Sequence, residues 1–334
     1  MAVTIKDIAK HTGLSIKTVS NVLHHKPYYS KETEEKVLEA VEKYGYIANA
    51  NAAALRSARD KNVAIIFDDM TNPFYFIMTD RIAGRLKNGG VDATIYSTYG
   101  RSGIVDRQLA EKILSGKTDA IVSMIAFGED ACRLVHRRGV PAVLLGRDGT
   151  QDGIESLFAD DEQGGYMATK HLIERGHRRI IYLGAAKGLD VSERRAGGYR
   201  RALEEAGIEP DESLIVQYRE FDRTLQKNMD LFMEYLYGSG ATAVFAFNDN
   251  FAYRIMRRLD AIGKNVPQDF AVVGYDNLQD YLKLPLWLTT VGVDFLRMAN
   301  AATDYVLAKI KGEDVHLAQF CSRQEPFLVR GRST

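Results

Sequence analysis

Over residues 5–44 apolar positions recur at helical spacing in three short runs. Ile5, Ile8 and Ala9 share one face behind Thr4, a residue suited to N-capping, with Asp7 in the first turn. Val19, Val22 and Leu23 form a second stripe after Ser15. Val37, Leu38, Val41 and Tyr44 form a third after Ser30, with Glu32 and Glu34 in its opening turn and all four apolar residues expected to be buried. Gly13, between the first two runs, supplies the backbone freedom of a tight turn. Two short helices joined by a brief glycine turn predict a helix-turn-helix, and the third helix completes the smallest core such a headpiece needs.

From Asn62 onward the pattern changes. Short β-branched runs at 63–67, 93–96, 120–123, 142–145, 180–183, 243–247 and 271–274 alternate with amphipathic helical stretches, which predicts parallel sheets with crossover helices. That many strands exceed one small core, so two α/β lobes are expected, with a ligand crevice beyond the carboxyl ends of the strands. Polar and aromatic residues stand just past those ends: Asp68, Asn72 and Phe74, then Arg147, then Asn248 and Asp249, then Asp276 and Asn277. Carboxylates and amides beside an aromatic ring suit a polyhydroxyl ligand, although Asp and Asn at such places also serve as turn formers and helix caps. Trp287 is expected to pack in the core rather than against a ligand.

Composition sharpens this picture. A chain of 334 residues is long enough for two or three packed units. Its 44 Lys+Arg and 44 Asp+Glu cancel, so any nucleic-acid contact must be local. Lys6, Lys10, Lys17 and Lys26 against a lone Asp7 supply such a patch, and the second helix turns Ile16, Lys17, Thr18, Ser20 and Asn21 away from its apolar stripe, toward base edges and phosphates. Cys132 and Cys321 lie far apart, which favours inert thiols in a reducing cytoplasm. The absence of a basic leader and of a long apolar run predicts a chain neither exported nor bound to a membrane. No phosphate-binding glycine loop, zinc-protease motif or nucleophile elbow occurs, and the 7 His are scattered, so no catalytic residue, metal or other cofactor is expected.

Thr4-Ile5-Lys6-Asp7-Ile8-Ala9, Thr18-Val19-Ser20-Asn21-Val22-Leu23 and Gly45-Tyr46 resemble the opening of the LacI/GalR repressor family. Asn72-Pro73-Phe74, Asp160-Asp161, His171 to His177, Arg195 before Gly198-Tyr199, Asn248-Asp249, Val273 to Asn277 and Leu288-Thr289-Thr290-Val291 match further motifs in order, so the resemblance spans essentially the whole chain. It implies a repressor: an all-α helix-turn-helix headpiece (1–47), a hinge helix and linker (48–61), and a two-lobed, periplasmic-binding-protein-like effector and dimerisation domain (62–334). The first lobe would take about 62–160 and 292–320, the second about 161–291 and 321–334. Lys17 and Asn21 match the base-reading positions, with Ile16 beside them. The Ala-rich stretch before Arg56 is too short to be a stable helix alone. In the family such a hinge helix lies in the minor groove, where Leu55 matches a leucine that wedges open a base step.

The DNA-facing set is therefore Thr4, Ser15, Ile16, Lys17, Thr18, Ser20, Asn21, His24, Asn49, Leu55 and Arg56. Ala48 and Ala53 depart from the usual Pro and Arg. Arg195 and Asp276 match the pair that grips the effector, with Phe74 and Asp160 facing them and Phe221 adjoining. The effector-facing set is Asn72, Phe74, Arg147, Asp160, Arg195, Phe221, Asn248, Asp249 and Asp276. Here Gly146 and Asp161 depart from the usual Asp and the frequent Asn. The expected partners are pseudo-palindromic operator DNA, a small molecule, and a second copy of the chain. A homodimer rather than a tetramer is expected because no leucine heptads follow Arg332-Ser333-Thr334. A sugar is the expected effector, with a nucleobase or a phosphoprotein co-regulator as the alternative.

Overall fold

A computed structural model of the chain describes residues 4–23, 27, 29–44, 61–98, 103–149, 152–185, 189–218, 225–321 and 324–334. His24, Ala48, Asn49, Ala53, Leu55, Arg56 and Phe221 lie outside the described residues. The chain divides into two compact units, Met1–Asp60 and Lys61–Thr334.

The first unit holds α1 (Ile5–Thr12), α2 (Ile16–Leu23) and α3 (Lys31–Tyr44). Thr4 and Asp7 close a capping box at the start of α1, the Thr4 amide donating to Asp7 Oδ2 at 2.8 Å and the Asp7 amide to Thr4 Oγ1 at 3.4 Å. Gly13 ends α1 at φ 67°, the left-handed geometry that a side chain would resist. Ile8, Ala9, Val19, Val22, Val37 and Ala40 form the core, with Val41 and Tyr44 partly buried against it. Leu38 corrects the expectation: it is 47% exposed. Residues 37, 40, 41 and 44 follow one helical face, and Leu38 lies about 100° round from Val37 on a 3.6-residue turn.

In the second unit β1 (Lys61–Phe67), α4 (Pro73–Asn88), β2 (Val91–Ser97), β3 (Ile104–Val105), α5 (Arg107–Ser115), β4 (Ala120–Ser123), β5 (Ala126–Phe127), α6 (Glu129–Arg138), β6 (Ala142–Leu145) and β7 (Glu155–Leu157) build the first lobe. Its main sheet is parallel, in the order β2-β1-β4-β6-β7. The second lobe takes α7 (Asp161–Glu174), β8 (Ile180–Gly184), α8 (Asp190–Glu205), β9 (Ile215–Gln217), α9 (Leu225–Gly238), β10 (Ala243–Ala246), α10 (Asp249–Ala261), β11 (Ala271–Tyr275), α11 (Leu278–Tyr281) and β12 (Thr289–Gly292). The chain then returns, so that α12 (Phe295–Ile310) packs on α4, β4 and β6 of the first lobe. It crosses once more to add β13 (Phe327–Val329) antiparallel to β12 in a sheet of order β13-β12-β11-β10-β8-β9.

Both faces of each sheet are covered, as parallel strands require. Val63, Ile65 and Phe67 enter one apolar cluster while Ala64 and Ile66 enter another, and none is more than 1% exposed. Ile180 and Tyr182 likewise part from Ile181 and Leu183. Burying each large side chain contributes about 1.5–3 kcal/mol. Trp287 again corrects the expectation. It is 49% exposed beside the exposed Leu282, Leu284 and Leu286, in the loop that enters β12. Its backbone is held by the Arg332 amide at 2.7 Å, while the Arg332 guanidinium sits 5.4 Å from the ring centre. Among the described residues no helix is long and apolar enough to cross a membrane.

Candidate functional site

Within the first unit, Val19 and Val22 commit one face of α2 to the core, which leaves Ile16 and Lys17 exposed and Asn21 half-buried on the outside. The Thr18 amide donates to Ser15 Oγ at 3.0 Å, and the two hydroxyls lie 2.8 Å apart. Thr4 Oγ1 donates to Asp7 at 2.6 Å. Thr4, Ser15 and Thr18 are thus engaged in holding the helix starts, and Ile16, Lys17 and Asn21 are presented on a framework that those caps orient.

In the second unit the carboxyl ends of β1, β4, β6, β10 and β11 open on one cavity, a space of about 490 Å³ including its solvent-open part. Six expected residues are brought together there: Asn72, Phe74, Arg147, Arg195, Asn248 and Asp276. Two described ones are not. Asp160 caps α7, accepting from the Gln163 amide at 3.0 Å. Asp249 is fully buried, with Oδ1 accepting from the Thr290 hydroxyl at 2.5 Å and Oδ2 from the Leu278 amide at 2.7 Å. It therefore holds the ends of β11 and β12 together rather than lining the cavity.

Arg195 reaches the cavity because α7 and α8 cross in close contact. A Cβ on Gly165 would lie 2.2 Å from the Arg195 carbonyl oxygen, and one on Gly198 would lie 1.9 Å from that of Glu162. Only glycine permits such an approach. It sets the buried Asp161 against the buried Arg195, whose Nε and Nη2 both lie 2.9 Å from Asp161 Oδ1. The guanidinium stacks 3.5 Å from the Tyr275 ring centre and 4.7 Å from that of Phe247. Burial opposes its charge, but Asp161, Tyr275 and Asp276 outweigh that opposition and hold Arg195 ionised.

Asp276 is the other pole. Its backbone sits at φ 108°, followed by Asn277 at φ 53°, a sequence of two positions that non-glycine residues adopt only at a cost. Its carboxyl group lines the cavity, is buried, and meets no side-chain hydrogen-bond donor among the described residues. Burial raises its pKa well above the usual carboxylate range, Arg195 opposing. A strained backbone that directs an unmatched carboxyl group into a cavity is a place for a ligand's donors. Asn72 and Asn248 each cap a helix through Oδ1, at 3.1 Å from the Phe74 amide and 3.0 Å from the Phe251 amide, so each has an amide NH₂ with which to donate.

Sequence reasoning missed Tyr75, Phe247 and Phe295 as lining residues. Phe295 begins α12, after two crossings between lobes, and meets Phe74 edge to face at 4.8 Å and 78°. No short-range pattern marks it; only its place directly after Asp294, the cap of α12, hinted at an oriented helix start. It also missed that Asp190, at the start of α8, pairs with Arg147 across the lobes at 3.2 Å.

A model described as "Bacterial regulatory proteins, lacI family" matches residues 4–49, and one described as "Periplasmic binding protein-like domain" matches 169–334. The HTH-type transcriptional repressor PurR of Vibrio atlanticus (strain LGP32) is 32% identical over 318 residues, covering 93% of this chain and 93% of its own. Among solved structures, a transcriptional regulator CelR–cellobiose complex superposes with TM-score 0.67 at 26% identity, over 99% of this chain and 100% of the other. The lac repressor dimer bound to operator and the anti-inducer ONPF superposes with TM-score 0.68 over 100% and 99%; at 23% identity it speaks for the fold alone.

Proposed function

The chain belongs to the lacI family of bacterial regulatory proteins, and from that premise we propose that it is a transcriptional repressor whose operator affinity is set by a small carbohydrate held between its lobes. It acts as a homodimer on a pseudo-palindromic operator, with Ile16, Lys17 and Asn21 of α2 facing the major groove. The observation that carries the effector assignment is Asp276, a buried carboxyl group with no side-chain donor among the described residues, in one cavity with Arg195, Asn248, Asn72 and Phe74. A carboxylate accepts from two adjacent hydroxyls, guanidinium and amide groups donate to their oxygens, and an aromatic ring covers the apolar face of a sugar.

A nucleobase is the second reading, favoured by the four aromatic residues Phe74, Tyr75, Phe247 and Phe295 around the cavity. Against it, Phe74 stands at 69° to Tyr75 and 78° to Phe295, so Phe74 forms no parallel-walled slot for a planar base with either of these rings. Calorimetry of the whole protein against sugar and nucleobase panels separates the two. Tight binding of a nucleobase with no sugar bound would overturn the carbohydrate assignment.

A further inference from the structure

We propose that the effector carries an anionic group, a carboxylate or phosphate on its hydroxylated skeleton, seated between Arg147 and the N-terminus of α8. This rests on the carbohydrate reading above and narrows it.

Arg147 lines the cavity with its side chain 12% exposed, and its Nη1 lies 3.2 Å from Asp190 Oδ1. That carboxylate is shared: Arg194 Nη2 lies 3.0 Å from the same Asp190, on Oδ2. Arg194 has only a 3.9 Å approach to Asp161, which Arg195 already holds at 2.9 Å. Three guanidinium groups thus meet two carboxylates, Asp161 and Asp190. Burial pushes Asp161, Asp249 and Asp276 alike toward their neutral forms, Arg195 opposing in each case. The surplus around Asp190 is positive.

Helix α8 adds to it. Its sixteen residues follow Leu189, which supplies no side-chain cap, with Asp190 and Glu193 in the first turn, and both Leu189 and Val191 line the cavity. Three other helices that start at this cavity are capped, α4 by Asn72, α10 by Asn248 and α12 by Asp294. An uncapped helix start directs amides and a partial positive charge toward whatever fills the space before it. Asp276, buried and without a side-chain donor among the described residues, independently marks the same cavity as a place for a ligand's donors. Asp190 is 41% exposed and already bound to Arg194. A ligand anion can therefore replace it on Arg147 and leave it with Arg194, while Asp276 and Asn248 take hydroxyls. Guanidinium binds carboxylate and phosphate alike in a two-pronged geometry, so both chemistries fit.

Matched pairs test this on the full chain by calorimetry: glucose 6-phosphate against glucose, and gluconate against glucitol, with inorganic phosphate followed by thermal shift. The expected result is an advantage of about 10-fold or more for the anionic member of at least one pair, the scale of a charged hydrogen bond. Arg147→Ala erases that advantage, Arg147→Lys keeps part of it, and Asp190→Asn, which removes the competing carboxylate, increases it and strengthens stabilisation by phosphate. The gain in Asp190→Asn keeps the test sharp if Arg147→Ala folds poorly. Neutral sugars that bind as tightly as their anionic partners, or an anionic advantage that survives Arg147→Ala, would overturn the proposal while leaving the carbohydrate reading in place. Binding confined to nucleobases would overturn both.

Discussion

Asp249 and Asp276 follow neighbouring strands of one sheet, yet their oxygens meet different worlds. Asp249 accepts from Thr290 and Leu278, and burial still lifts its pKa to about 7, those hydrogen bonds opposing. A carboxyl group whose pKa is raised in the folded state stabilises the fold most at low pH, and that stability is lost as pH climbs through the folded value. For Asp249 the window runs from about 4 to about 7, at up to about 1.4 kcal/mol per pH unit. Asp249→Asn keeps the acceptor for Leu278 and never ionises. The wild type is therefore expected to lose melting temperature relative to this variant between pH 5 and pH 8, and parallel curves would refute the linkage. Asp276 has no such internal partner. Asp276→Asn is expected to weaken effector binding by about 10-fold or more, with no loss of melting temperature at pH 8; calorimetry and thermal unfolding on the same sample check both halves.

At the scale of elements, the placement of Arg195 at the cavity depends on two glycines, Gly165 and Gly198. Gly198→Ala would drive a methyl group into the Glu162 carbonyl, so α7 and α8 must separate. The expected cost is about 1–3 kcal/mol from overpacking, read as a lower urea midpoint. Effector affinity falls with it, because Asp161 and Arg195 sit on opposite sides of that crossing. The headpiece has its own small device. Thr4→Ala removes a capping box and should lower helix stability by about 1 kcal/mol, measured as a drop in operator affinity with effector affinity unchanged. Both elements announce themselves in the chain, Thr4 before Asp7 and Gly198 before Tyr199. The resemblance pointed to the second motif without its reason, since a glycine's neighbour across a helix crossing is not adjacent in sequence.

For the whole molecule, a repressor that senses a metabolite must obey reciprocity. If the effector changes operator affinity by some factor, operator must change effector affinity by the same factor, about 5–150-fold for couplings of about 1–3 kcal/mol. Titrating effector with and without operator duplex measures it, and unequal factors would mean that a further species is bound. The order of headpiece and alternating strands was legible because helical and strand periods, caps and glycine turns are properties of residues a few positions apart. The strand-end rule pointed to five residues of one cavity, Asn72, Phe74, Arg147, Asn248 and Asp276, and the resemblance added Arg195. The rule could not tell Asp276 from Asp249, or place Phe295, or reveal that Asp190 faces Arg147. Those outcomes depend on side chains far apart in sequence that neighbouring strands, or a chain crossing repeatedly between lobes, bring together, and distance along the chain carries no record of distance in space.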